Sequence, residues 1–397
     1  MGRLISMEYN FMKKIFATIL IIFLLCIIFN SKMIGAVSNE EPLIASEAAI
    51  LIDEKSGQIL FEKNPDQKMN PASLTKIATA IYAIERGNLE DVVTVSENAR
   101  EIEGTRVYLE TGERVKLRKL VQGLLINSGN DAGVAIAEYL DGSEQQFANN
   151  LNKYLQNIGL QDTNFVNPHG LYHIDHKTTA RDLAKITQYA MKNNDFREIF
   201  GTKELQWDGE SWDTTLYTHH KLLREEIPYE GVTGGKTGFV DQSGFTLITT
   251  ATKSDLSVIA VTLKAQTEDI AYHDTVDLLD YGFDYFTTED IPEGQRYEIN
   301  NRLFISNETL HFTISKNDTI TKHVTDNGLL EIRNQNQDLI ASFQLVNVTQ
   351  LKENVEYMKE AKEDSIKKQN ENKYLILFGS ILIICLLLLE NRRIKRS

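Results

Sequence analysis

Apolar and polar positions along the chain fall into distinct regimes. Two end segments, residues 15–29 and 374–389, are apolar throughout. Between them, short apolar runs alternate with turn residues. Ala48-Ala49-Ile50-Leu51-Ile52-Asp53 and Gln58-Ile59-Leu60-Phe61-Glu62 flank Glu54-Lys55-Ser56-Gly57, which predicts a β-hairpin. From residue 71 to residue 200 the apolar spacing is helical. Strand signals return at 245–250 and 256–263, with Thr252-Lys253-Ser254-Asp255 as the turn, and a helix is predicted over 269–283. Strands on both sides of a helical middle predict one antiparallel sheet assembled from distant parts of the chain: an α/β (α+β) sandwich over residues 43–285 with a helical subdomain. After Ile291-Pro292 short alternating segments predict a small all-β domain over 291–350. Residues 352–373, charged and without Gly or Pro, predict a helical stalk. No internal repeat is visible.

The apolar ends change the picture from a soluble chain to an exported one. Lys13 and Lys14 precede the first apolar run, and the small residues Gly35 and Ala36 follow it. That order predicts a signal peptide over 1–36, with Met12 as an alternative start. A retained membrane helix is the competing reading, and the shortness of the run favours cleavage. The second run predicts a transmembrane anchor over 374–390. Sixteen helical residues rise about 24 Å against a hydrocarbon core of about 30 Å, and Lys373 and Glu390 can snorkel across the difference. Arg392, Arg393, Lys395 and Arg396 make 391–397 a basic cytoplasmic tail, which puts the body outside the cell membrane. A buried C-terminal helix is the alternative, and the lack of a polar face counts against it.

Composition adds exclusions. A net charge of −14 argues against a nucleic-acid partner. Both cysteines, Cys26 and Cys385, lie in the apolar end segments. The exported body therefore has no disulfide, no cysteine nucleophile and no cysteine metal site.

Three short patterns carry candidate chemistry. Ser73-Leu74-Thr75-Lys76 follows Pro71 and opens an apolar stretch that stops at Gly87, so Lys76 stands one helical turn from Ser73. A serine hydroxyl needs a base, and a lysine serves when burial or a nearby cation lowers its pKa. The bland alternative is a helix-capping serine and a surface lysine. Ser128-Gly129-Asn130 separates two helical patterns and can aim Ser128 and Asn130 into a cleft; an ordinary turn with Asn130 as N-cap is the alternative. Lys236-Thr237-Gly238-Phe239 precedes the second pair of strands, where an edge strand can pair with an extended peptide, Gly238 permits close approach and Lys236 offers charge to a carboxylate. The chain also supplies its own chance matches: Ser365-Ile366-Lys367-Lys368, Ser96-Glu97-Asn98 and Ser315-Lys316-Asn317. A phosphate loop at Lys236 fails on spacing. His169, His173 and His176 cluster in a Pro- and Gly-containing segment with no helix to align them, so they read as loop histidines rather than a metal site. No cofactor is implied.

Pro71-Ala72-Ser73-Leu74-Thr75-Lys76, Asn127-Ser128-Gly129-Asn130-Asp131-Ala132 and Gly234-Gly235-Lys236-Thr237-Gly238, in this order, resemble the signature set of low-molecular-mass penicillin-binding proteins. Phe165-Val166-Asn167-Pro168-His169-Gly170-Leu171, Thr179-Ala180-Arg181-Asp182-Leu183-Ala184 and Asp280-Tyr281-Gly282-Phe283 resemble the D-alanyl-D-alanine carboxypeptidase branch (serine peptidase family S11 type). The resemblance implies a β-lactamase/transpeptidase-like fold. It implies that peptidoglycan stem peptides ending in D-Ala-D-Ala are the substrates and that β-lactams inhibit. It also implies roles. Ser73 attacks, Lys76 takes its proton, and Ser128 passes a proton to the leaving group. Asn130 orients the acylated peptide, Lys236 and Thr237 hold the terminal carboxylate, and the backbone N–H groups of Ser73 and Phe239 form the oxyanion hole. One departure is plain: an arginine that often precedes the last catalytic-domain helix in this family is absent from Asp269-Ile270-Ala271-Tyr272-His273-Asp274. A β-lactamase and a catalytically silent wall-binding scaffold are the competing functions. The first lacks an identifiable glutamate loop for deacylation, and the second sits poorly with intact Ser73, Lys76, Ser128 and Lys236.

Overall fold

The structure, a computed structural model, describes residues 41–349 together with 359 and 362. The chain divides into two compact units, Met1–Glu41 and Pro42–Ser397, and the elements described belong to the second. The predicted signal peptide, anchor and tail, and all of the stalk but Lys359 and Lys362, lie outside the described residues. Among the described residues no helix is long and apolar enough to cross a membrane.

In chain order the first part holds β1 (Ala48–Asp53), β2 (Ile59–Lys63), α1 (Thr75–Arg86), β3 (Val92–Thr94), α2 (Glu97–Glu101), β4 (Arg114–Lys116), α3 (Leu117–Ile126), α4 (Asn130–Asp141), α5 (Glu144–Asn157), α6 (Ala180–Ala190) and α7 (Asn194–Phe200). Then come β5 (Glu204–Asp208), β6 (Asp213–Tyr217), β7 (Val232–Val240), β8 (Gly244–Lys253), β9 (Leu256–Ala265) and α8 (Glu268–Tyr285). The predicted β1–β2 hairpin forms, and β1 also pairs with β9, which closes an antiparallel sheet in the order β2-β1-β9-β8-β7. β8 and β9 run past their predicted limits, because a two-residue turn with Ser254 at φ 55° joins them in place of the expected four.

Strand alternation builds the sandwich. Ala48, Ile50 and Ile52 of β1, with Ile259, Val261 and Leu263 of β9, face the large core of the helical region. Ala49 and Leu51, with Val258 and Ala260, face Leu278 and Leu279 of α8 on the other side. Both faces of the sheet are therefore apolar, and its open edge, β7, is left to meet the helical half.

The strands of the small β-domain begin at Phe286 rather than 291, because β10 (Phe286–Ile291) follows α8 directly and is held by β13 (Leu310–Ser315). β11 (Arg296–Ile299), β12 (Arg302–Ile305) and β17 (Val346–Asn347) form one three-stranded sheet. β14 (Thr321–Val324), β15 (Leu329–Arg333) and β16 (Leu339–Gln344) form another. Phe304, Phe312, Leu330 and Ile332 make its own core. Asp53, buried at the end of β1, ties it to the sheet: one carboxylate oxygen accepts 2.6 Å bonds from the hydroxyls of both Thr288 and Thr313.

Candidate active site

Ser73 lies in a single 3₁₀ turn, Ala72–Leu74, that runs into α1, and its hydroxyl caps neither helix start. Lys76 is fully buried one turn later. Its Nζ reaches Ser73 Oγ at 2.9 Å, Asn130 Oδ1 at 2.7 Å and the His169 carbonyl at 2.7 Å. These partners are a hydroxyl, an amide and a peptide oxygen, none of them a carboxylate. Burial therefore holds the amine well below its usual pKa, the positive charge of Lys236 adds to the effect, and Asp131 opposes it. The neutral amine is the form that accepts a proton.

The second motif occupies the joint between α3 and α4. Ser128 sits at φ 60° and is almost fully buried, and no side chain caps α4. Its Oγ accepts from Lys236 Nζ at 3.0 Å. Asn130 is the first residue of α4, with Gly129 at the cap position, and the Asn130 Nδ2 donates to the Glu103 carbonyl at 2.7 Å. Asp131, which the motif reading left without a role, is fully buried and accepts from the N–H groups of Val107 and Leu109 at 3.0 and 3.1 Å. The motif thus holds the loop of residues 103–109 as well as the cleft.

The third motif rides on β7. A Cβ at residue 238 would lie 2.6 Å from Thr246 Oγ1 and 2.9 Å from the Ser73 nitrogen, so only glycine lets the strand pass the nucleophile. A Cβ at 235 would strike the His220 ring. The Thr246 hydroxyl lies within 3.1 Å of both the Pro71 and Gly238 carbonyl oxygens, locking β8 to the segment before Ser73. Lys236 is buried and also donates to the Thr237 carbonyl at 2.9 Å; burial lowers its pKa to about 7. Ser73, Thr105, Ser128, Thr237, Gly238 and Phe239 line one cleft of about 420 Å³. Phe239 is half exposed and packs on Phe245. Ala271 lines the far wall, and the stretch 269–274 contributes no cation to it.

The histidine segment is a loop, as expected, yet two of its histidines are buried and structural. His176 Nδ1 accepts from the Val166 N–H at 3.1 Å, which puts the ring proton on Nε2. Nε2 then donates to Thr75 Oγ1 at 2.8 Å, and that hydroxyl donates to the Ala72 carbonyl at 2.8 Å. Burial pushes the imidazole pKa down to about 3, so it stays neutral. The chain of bonds fixes Ala72, whose φ of 50° costs about 1–2 kcal/mol in a residue with a Cβ. Gly170 closes on the same carbonyl so tightly that a Cβ would lie 1.9 Å from it. His169 presents its carbonyl to Lys76, and its ring nitrogen Nε2 meets Glu144 at 3.1 Å. Among the described residues no group of three His, Cys, Asp or Glu side chains is placed to hold a metal. The positions of Pro168 and Gly170 in the sequence signal a loop, but nothing local signals that it clamps the nucleophile's backbone.

The family model for D-alanyl-D-alanine carboxypeptidases matches residues 35–267. The D-alanyl-D-alanine carboxypeptidase DacF of Bacillus subtilis (strain 168) is 32% identical over 288 residues, covering 70% of this chain and 72% of that protein. In structure the chain is similar to penicillin-binding protein 5 from Haemophilus influenzae, with a TM-score of 0.70 and 28% identity over 77% of this chain and 97% of that one. It is also similar to penicillin-binding protein 6B from Escherichia coli, with a TM-score of 0.66 and 29% identity over 78% and 98%.

Proposed function

We propose, since this chain belongs to the D-alanyl-D-alanine carboxypeptidase family, that Ser73 cleaves the bond between the last two D-alanines of peptidoglycan stem peptides. Membership rests on the family match and on the structural likeness to penicillin-binding proteins. The observation that carries the assignment of residues is the buried Lys76 amine, 2.9 Å from Ser73 Oγ with no carboxylate among its hydrogen-bond partners.

As Ser73 Oγ bonds to the carbonyl carbon, its proton passes to Lys76 Nζ. The backbone N–H groups of Ser73 and Phe239 receive the oxyanion, and the closeness of β7 to the Ser73 nitrogen supports that role. Collapse of the tetrahedral intermediate breaks the C–N bond. The leaving D-alanine amine takes its proton through Ser128, whose Oγ accepts from Lys236 Nζ at 3.0 Å. Lys236 and Thr237 hold the terminal carboxylate, Gly238 keeps the strand open to it, and Asn130 orients the acyl half. Water then releases the shortened peptide and regenerates Ser73. A β-lactam enters the same path and stays on Ser73 as an acyl-enzyme. The chain works outside the cell, exported by residues 1–36 and anchored by 374–390, with cell-wall remodelling as its role.

The test is to incubate the full chain with a fluorescent penicillin, map the label, and assay D-alanine release from a peptide ending in D-Ala-D-Ala. Label on Ser73 together with release supports the proposal. Label without release points to another peptide or to a scaffold, and no label removes the three-motif assignment.

A further inference from the structure

Thr105 lines the catalytic cleft, and the residues after it leave the cleft in an unusual conformation. Tyr108 has φ 61°, a backbone region that bulky side chains rarely adopt, and is 59% exposed. Its ring stands edge-on to Trp212 at 5.9 Å, itself 36% exposed. The Arg106 guanidinium lies 5.2 Å from the Tyr108 ring centre. Among the described residues the Arg106 side chain donates one bond, to the Arg100 carbonyl at 3.0 Å, and its buried Nε has no partner. Neighbouring Arg100 is paired with Glu110, whereas no carboxylate pairs with Arg106 among the described residues. In a chain with 56 acidic residues against 42 basic ones, a partly buried cation without a carboxylate partner among the described residues lies beside two exposed aromatic rings.

This display is rigid and is held by the catalytic motif. Asp131 grips the N–H groups of Val107 and Leu109 on either side of Tyr108. Asn130 N–H donates to the Thr105 carbonyl at 2.7 Å, and Asn127 Nδ2 to the Arg106 carbonyl at 2.9 Å. From the other side Trp212 Nε1 donates to the Val107 carbonyl at 3.1 Å. Exposed aromatics on a strained, fully pinned loop at a cleft are the arrangement expected of a ligand contact.

We propose that Arg106, Tyr108 and Trp212 form a subsite for the acyl half of the stem peptide, in which Arg106 pairs with a free carboxylate upstream of the bond that Ser73 cuts. This rests on the carboxypeptidase reading. In that reading Lys236 and Thr237 hold the leaving residue, so a chain running past Thr105 is the acyl half. A guanidinium takes a carboxylate with two parallel bonds, and the rings cover the aliphatic stem that carries it.

Two peptides with the same D-Ala-D-Ala end test this, one bearing a free carboxylate two or three residues before the cleaved bond and the other its carboxamide. For the full chain, kcat/KM should favour the carboxylate peptide about tenfold, mostly through KM, as one charge-assisted pair provides. The advantage should shrink in high salt. Arg106→Gln should bring the ratio to about one, the carboxamide peptide serving as reference within each variant. Tyr108→Gly should also lower the ratio while holding or raising the unfolding temperature, because glycine relieves the left-handed backbone and a loss of preference cannot then be unfolding. Equal kcat/KM for the two peptides, or an undiminished ratio in Arg106→Gln, overturns the subsite. Fluorescent penicillin on the same wild-type sample separates the two levels: Ser73 labelled and D-alanine released with no carboxylate preference refutes the subsite alone, and no label overturns both.

Discussion

Ser96-Glu97-Asn98 and Ser128-Gly129-Asn130 are the same pattern in one chain, and the structure uses them in opposite ways. Ser96 has extended backbone and caps α2, accepting from the Ala99 N–H at 2.9 Å, while Asn98 meets Glu138 on the surface. Ser128 is left-handed and buried beside Lys236, and Asn130 is buried between Lys76 and the Glu103 carbonyl. On the surface a hydroxyl takes the nearest backbone donor and water supplies the rest. Beneath the cleft these side chains are buried, so each polar atom must find a partner within the protein, and three short sequences become one network. Burial and the backbone turn, not residue identity, separate a cap from a catalytic group.

The sharpest way to break the comparison is to remove the amine on which the buried network converges. Lys76→Met should lower the rate of penicillin labelling about 10³-fold or more. Labelling at the wild-type rate would sink the assignment of Lys76. Next, Asn130→Ala and Asn98→Ala can be run side by side: kcat/KM should fall about 10²-fold in the first and stay level in the second, since only the first strands buried partners. The backbone clamp on Ala72 gives a smaller effect. Thr75→Val should slow acylation about tenfold and Thr75→Ser should restore it, which a purely steric role for that side chain would not predict.

The lysines also set a pH dependence. Lys236 titrates near 7 in the free protein, and only its charged form holds a carboxylate, so KM for the peptide should climb as pH rises through about 7. A flat KM from pH 6 to 9 would count against Lys236 as the anchor. Between about 7 and the ordinary lysine range near 10.5 the unfolded chain binds a proton that folded Lys236 has released, so this group makes the fold more stable as pH rises across that window. The smallest effect belongs to the surface copy. Ser96→Ala should cost about 1 kcal/mol of stability in thermal unfolding and leave the kinetics alone.

Much of the catalytic half was legible because its signals are local. The β1–β2 hairpin carries its turn, and the spacing of Ser73 and Lys76 alone sets them one helical turn apart. The motif residues named from the sequence do meet in one cleft. The strand order was legible only as a principle, because the pairing of β1 with β9 joins residues some two hundred positions apart, which no window of sequence contains. The clamp by His176 and the loop held by Asp131 were not legible for the same reason. Their partners, Thr75 and Val107, are remote in sequence and unremarkable in type. Ile291-Pro292 marks a change in composition, whereas pairing with β13 already begins at Phe286, since a strand partner 29 positions on leaves no local mark.

The edge position of β7 has one more consequence. A bare sheet edge is what β proteins conceal from one another, since any extended strand can zip onto it and begin aggregation. Here both faces of β7 are walled in, with Phe200 over Gly234 and the nucleophile turn over Gly238 on one side and His220 over Gly235 on the other. The same walls that frame the substrate thereby crowd any second sheet that would extend along β7.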